Sequence, residues 1–172
     1  MLYELAILDM LRQQPACWIE QPDPTREGRL AMVAHELAQL PKSVAVPLAY
    51  QGWKESRWCD YVWNGCIVIP KGASGNCDRG RARGAWQLWE NTCRDAYQFA
   101  PGTPESLHEE VACAARIWRN GLRRCEDRHP AGNIAGAFSA FAGASCEWPG
   151  GERRASEYEA TLQRFLRIKA RP

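Results

Sequence analysis

The sequence predicts a mainly α-helical domain of the α+β kind, with one small β-hairpin or flap inserted between helices. Apolar residues recur at three- and four-residue spacing in one stretch after another, as helices with one buried face require. Pro and Gly punctuate these stretches. Only residues 59–83 break the rhythm, with Cys59, Cys66, Cys77 and four glycines around the β-branched run CIVIP, which reads as a hairpin or small irregular sheet.

Leu2, Leu5, Leu8 and Leu11 stand three apart and are expected to form a helical stripe that Pro15 ends. A linker rich in Pro and charge follows, so residues 1–28 read as an N-terminal helix and linker and residues 29–172 as the main domain. From Arg29 to Leu40 the apolar set is Leu30, Val33, Leu37 and Leu40, and Pro41 stops the run. In SVAVPLAYQGWKESRW, steps of four and three put Leu48, Gly52 and Glu55 on one helix face, with Glu55 near its end. After the flap a further helical region is expected from Gly84 or Ala85. Another runs from Pro104 to Cys125 with Val111, Ala115, Trp118 and Leu122 inward. Residues 131–143, AGNIAGAFSAFAG, form a buried helix of small residues with Ile134, Phe138 and Phe141, which lets neighbouring backbones come close. A last helix follows the PGG turn, from Ala155 to Ile168, with Tyr158, Leu162 and Phe165 on one face.

The 172 residues carry 22 Lys+Arg and 20 Asp+Glu, a balance of 22 − 20 = +2. With a pI of 8.1, below the roughly 9 of a dedicated nucleic-acid binder, the chain is not expected to bind nucleic acid. No apolar run reaches the ~18 residues that a membrane span needs. The opening MLYELAILDMLRQQ places Glu4 and Asp9 among its apolar residues and lacks a basic n-region, so it reads as an amphipathic helix and not as a signal peptide. Export would need a leader already removed, or another route.

Eight cysteines, with no CxxC pair, are many for a reducing compartment. They point to disulfides and a periplasmic or extracellular workplace. Zinc is not expected, because His35, His108 and His129 are scattered. Cys113 and Cys125 are twelve residues apart on one expected helix. About 18 Å of rise separates them, so they do not pair with each other. Cys59, Cys66, Cys77 and Cys93 are the natural staples of the loop-rich stretch; the connectivity itself stays open.

Serine-nucleophile, phosphate-loop and metalloprotease patterns are missing: there is no GxSxG, GxxxxGK[ST] or HExxH. A carboxylate remains. Glu55 ends a largely uncharged helix face with Trp53 and Trp58 close in sequence. A carboxyl held against aromatic surface is desolvated, its pKa rises, and it acts as a general acid near neutral pH. Breaking a glycosidic bond needs such an acid. The plainer alternative is a helix-end carboxylate paired with Lys54 or Arg57. Trp58, Trp63, Trp86 and Trp89 flank the flap and are candidates to line a sugar-stacking groove. Asp60 and Asp78 serve either as a second carboxylate or as turn residues. Arg79, Arg81 and Arg83 meet carboxylates of a substrate or form a solvated charge run.

These residues resemble a family. KESRW, with Glu55 to Trp58, looks like the E-S-x-aromatic signature of lytic transglycosylases and goose-type lysozymes. RGAWQLW is similar to their G-L-M-Q-hydrophobic motif, with Gly84 and Gln87 kept. AFSAFAGAS, Ala137 to Ser145, resembles the A-x-A-A-Y-N-A-G helix, and Glu152 with Tyr158 the E…Y element after it. The resemblance covers residues 30–168 and implies a lysozyme-like fold that binds peptidoglycan glycan strands. It implies Glu55 as sole catalytic acid and base, with Gln87 holding the acetamido sugar and Tyr158 near Glu55 to orient it. Ser56, Trp86, Phe141 and Asp78 are further candidates around the substrate, and no metal, no cofactor and a monomer are expected. A lytic transglycosylase leaves a 1,6-anhydro product, whereas a goose-type lysozyme hydrolyses. Trp86 stands where the family has Met, Ala85 where it has Leu, and Phe141-Ala142 where it has Tyr-Asn. The lost Asn favours a third reading, a glycan-binding module without turnover.

Overall fold

A computed structural model describes residues 2–15, 17, 25–66 and 81–169. The chain is mainly helical, with one two-stranded antiparallel sheet among the described residues, as its sequence predicts. It divides into two compact units, Met1–Ala114 and Ala115–Pro172.

The first unit opens with α1 (Leu2–Arg12), α2 (Arg26–Ala38) and α3 (Lys42–Ser56), with α1 packed on both α2 and α3. Arg12 pairs with Glu27 and Glu4 with His35 across α1 and α2, and the Cys17–Cys59 disulfide ties the following segment to the end of α3. α1 therefore packs within the first unit and does not stand apart from it, and α2 starts inside the stretch that reads as linker. The leucine stripe of α1 is also corrected. Leu11 is fully buried, but Leu2 is 84% exposed, and the buried set is Ile7, Met10 and Leu11. At 3.6 residues per turn, each step of three lags by about 60°, so three such steps carry Leu11 to the face opposite Leu2. Leu30, Val33 and Leu37 of α2 are buried as their spacing requires.

Residues 60–63, expected to be part of the hairpin, form a single helical turn, α4 (Asp60–Trp63). Residues 67–80, with the rest of the CIVIP run, lie outside the described residues. Among the described residues β1 (Ala82–Arg83) and β2 (Leu88–Trp89) form a sheet, with Ala82 opposite Trp89 and Arg83 opposite Leu88. Gly84–Gln87 is the connecting turn, where a helix was expected. Gly84 has φ +73° and Gln87 φ +50°, and these left-handed positions bar a helix. A 3₁₀ turn at Arg94–Gln98 leads to α5 (Pro104–Arg124), whose Cys113 is bonded to Cys93.

The second unit holds the end of α5, then α6 (Asn133–Phe141) and α7 (Pro149–Lys169). Trp118 and Phe138 are fully buried and meet edge to face at 4.9 Å. The small residues of α6 act as expected: a Cβ on Gly151 of α7 would overlap Ala135 O and Ser139 Oγ of α6. Cys125 is bonded to Cys146, and buried His129 receives the Ala131 N–H on Nδ1 at 3.0 Å.

Candidate active site

The two segments that suggested a glycosidase meet at Gly52 of α3. Trp86, at the centre of the β1–β2 turn, donates its indole N–H to Leu48 O at 2.9 Å. Its ring lies edge-on to Trp58 with centroids 6.2 Å apart. A side chain at position 52 would stand 2.6 Å from Trp58 Cη2 and 3.1 Å from Trp86 Cε2. Glycine is what lets both rings close on the helix, one turn before Glu55.

α3 ends abruptly just beyond Glu55. Ser56 donates its hydroxyl to Gly52 O at 2.7 Å and accepts the Trp58 N–H at 3.1 Å. Arg57 and Trp58 are both left-handed, with φ of 51° and 54°, a backbone cost that the surrounding packing has to offset. Trp58 Nε1 donates to Gln14 Oε1 at 2.8 Å. Glu55 itself is part-buried, and its Oε1 accepts a 2.6 Å hydrogen bond from Gln51 Nε2. The Arg57 guanidinium and the Lys54 ammonium lie over the Trp53 ring, at 4.5 and 5.7 Å from its centroid.

The carboxyl that burial dominates is Glu110, on α5, which is 3% exposed. Burial pushes it up to about 7, against the opposing pull of a Ser106 hydrogen bond, the Ala85 N–H and nearby Arg83. Ser106 donates its hydroxyl to Oε1 and Ala85 its N–H to Oε2, each at 3.1 Å. A Cβ at Gly84 would overlap this carboxyl, so the turn that carries Trp86 and Gln87 is clamped directly onto it.

The remaining sequence-predicted residues sort by what they touch. Trp58 and Trp86 are each 1% exposed and Trp63 is buried as well, so these rings are core and offer no face for a sugar; the sequence reading that put them in a groove is corrected. Trp89, on β2, is exposed. Gln87 is half-buried and turns its amide back onto Gly84 O at 3.0 Å. Ser56 is buried and its hydroxyl serves the helix end. Asp60 accepts from Arg29 Nη1 at 3.0 Å, and Arg29 also reaches Trp58 O at 3.1 Å, so Asp60 anchors a buried guanidinium. Arg83 donates to Ala96 O, Phe99 O and Ser106 Oγ and stacks over Tyr97, a structural role and not that of a solvated charge run. Arg81 is exposed. Asp78 and Arg79 lie outside the described residues. Phe141 and Tyr158 belong to the second unit. There Phe141 is half-buried at the end of α6, and the Tyr158 ring lies 5.9 Å from that of Phe138, with burial raising its phenol.

Sequence reasoning missed Gln51 and Glu110. Both carried a signal. Gln51 lies three residues after Leu48 and four before Glu55, and Glu110 sits three after Leu107 and four before Ala114, inside the buried stripe of α5.

Comparison with protein-family models, with curated proteins and with solved structures finds no match to this chain.

Proposed function

We propose that this chain is a peptidoglycan-cleaving enzyme in which Glu55 is the general acid and then the base. The supporting observation is the junction at Gly52, where the E-S-R-W end of α3 and the G-A-W-Q turn pack together through Trp58 and Trp86, with Glu55 one turn away. Segments 29 residues apart (84 − 55) that the family resemblance pairs in function are paired in space.

In this reading the glycan strand binds beside the end of α3. Glu55 protonates the glycosidic oxygen between N-acetylmuramic acid and N-acetylglucosamine, and the departing sugar takes that proton as the C–O bond breaks. The resulting carboxylate then removes a proton from the muramic acid 6-hydroxyl, which closes on C1 as a 1,6-anhydro ring. Water in place of that hydroxyl gives the goose-type hydrolase outcome. One carboxylate suffices because the substrate supplies the second group. Gln87 enters from the motif of the turn and Trp89 as the exposed ring of β2; Phe141 and Tyr158 enter on the motif alone, and Asp78 only as a candidate second carboxylate. Cell-wall chemistry and the three disulfides among the described residues both suit a periplasmic or extracellular setting.

The test is lysis of purified sacculi. The wild-type chain is expected to clear the suspension and release anhydro ends, one water lighter than reducing ends. Glu55→Gln should slow clearing at least about 100-fold, the weight of a general acid, with an unchanged circular dichroism spectrum. Full activity in that variant rejects the assignment. Wild-type protein that sediments with sacculi without clearing them is the glycan-binding module.

A further inference from the structure

The structure points to a second residue in the acid's machinery. Resting on the reading of Glu55 as the acid, we infer that Gln51 is its positioning residue, whose amide N–H reserves Oε1 as an acceptor and so confines the transferable proton to Oε2.

Gln51 lies one helical turn before Glu55, the i, i+4 spacing at which side chains on one face meet, and its Nε2 stands 2.6 Å from Glu55 Oε1. An amide nitrogen has hydrogens and no available lone pair, so it donates and cannot accept. A carboxylic hydroxyl oxygen is a weaker acceptor than the carbonyl oxygen, so an N–H donated to Oε1 favours the carbonyl form of that oxygen. The proton therefore sits on Oε2, and the acid presents one defined oxygen to the substrate. When Glu55 is a carboxylate, the same N–H supports the charge on Oε1, so Gln51 serves both halves of the reaction without moving a proton of its own.

Burial argues that this is more than a local helix contact. Gln51 is fully buried, and its Oε1 has no hydrogen-bond partner among the described residues. An unpaired buried amide oxygen destabilises a fold, and a residue chosen for the core alone would be apolar at this place between Leu48 and Glu55. Its retention makes sense if the N–H end performs a task that an apolar side chain cannot.

The test is Gln51→Met, which keeps length and volume and removes both amide ends. Wild type, Gln51→Met and Glu55→Gln are compared on soluble glycan strands of alternating N-acetylglucosamine and N-acetylmuramic acid. The expected result for Gln51→Met is a kcat about 10- to 100-fold lower, the scale of a misplaced reacting group, with KM within about twofold and a Tm equal to or above wild type. A merely structural glutamine gives the reverse pattern, a lower Tm with kcat held. Unchanged kcat, a loss carried by KM, or a lowered Tm overturns the inference while leaving Glu55 in place. A wild type without cleavage, or a Glu55→Gln variant of full activity, overturns the parent reading and this one with it.

Discussion

Glu110 binds its proton more tightly in the folded chain than in the unfolded one. Burial lifts it from 4.5 to about 7. The stability this contributes is complete below pH 4.5, is lost as pH rises through about 7, and stays lost above that. The size is on the order of 3 kcal/mol across the window. Glu110→Gln keeps an acceptor for the Ala85 N–H and a donor for Ser106 Oγ without a charge to bury. Urea denaturation at pH 5 and pH 8 should therefore show wild type losing most of that stability between the two and the variant losing far less. Equal losses in both proteins would mean that another group carries the dependence. The residue scale is also where the sequence was least legible. The spacing of Glu110 from Leu107 and Ala114 places it on the buried stripe of α5, but the covering turn at Gly84 is what shows that its carboxyl is sealed.

At the scale of elements, the described helices agree with the apolar periodicity where the spacing mixes threes and fours, and part from it where the spacing is uniform. α2 and α5 bury most of the residues their patterns name, Leu30, Val33 and Leu37 in one and Val111, Ala115 and Trp118 in the other, while Leu40, beyond the end of α2, and Leu122 are half-buried. α1 does not, because a strict three-residue step winds around the helix. The Gly84–Gln87 turn escaped for another reason. Its N–H at Ala85 goes to the Glu110 side chain 25 residues away, and no local pattern announces a partner at that distance. Close approach between α6 and α7 is the element-level feature most open to test. Gly151→Ala would drive a methyl group into Ala135 O and Ser139 Oγ. Ser139 is itself bonded to Ala135 O at 3.0 Å and Trp148 O at 3.2 Å, so it has little room to turn. A loss of about 1–3 kcal/mol in chemical unfolding is expected, the usual cost of overpacking, even though Ala favours helix over Gly. A stabilised variant would show that the helices can separate at this point without penalty.

Across the whole molecule, covalent ties hold each unit together within itself. Cys17–Cys59 and Cys93–Cys113 close loops of 42 and 20 residues in the first unit, and Cys125–Cys146 closes 21 in the second. Replacing Cys125 and Cys146 together by Ala should cost about 3 kcal/mol, from the extra freedom of the unfolded chain, read as a lower Tm that added reductant lowers further through the remaining bridges. Indifference of the wild-type Tm to reductant would argue against a working place that depends on oxidised cysteines. Among the described residues no helix is long and apolar enough to cross a membrane.

The sequence by itself determined the fold class, the course of most helices, the position of Glu55 at the end of α3, and the rule that Cys113 and Cys125 cannot pair. All of these follow from spacing along a regular element, where rise and rotation per residue are constant. Tertiary structure decided the rest: that Trp58 and Trp86 are core and not groove, that Gln51 is the amide facing Glu55, that Glu110 is the sealed carboxyl, and that Cys59 and Cys93 are bonded to partners outside the loop-rich stretch between them. Periodicity states which face of an element shuns water. It does not state which other part of the chain covers that face, because that contact joins residues far apart in sequence, and its energy depends on how closely the two surfaces fit.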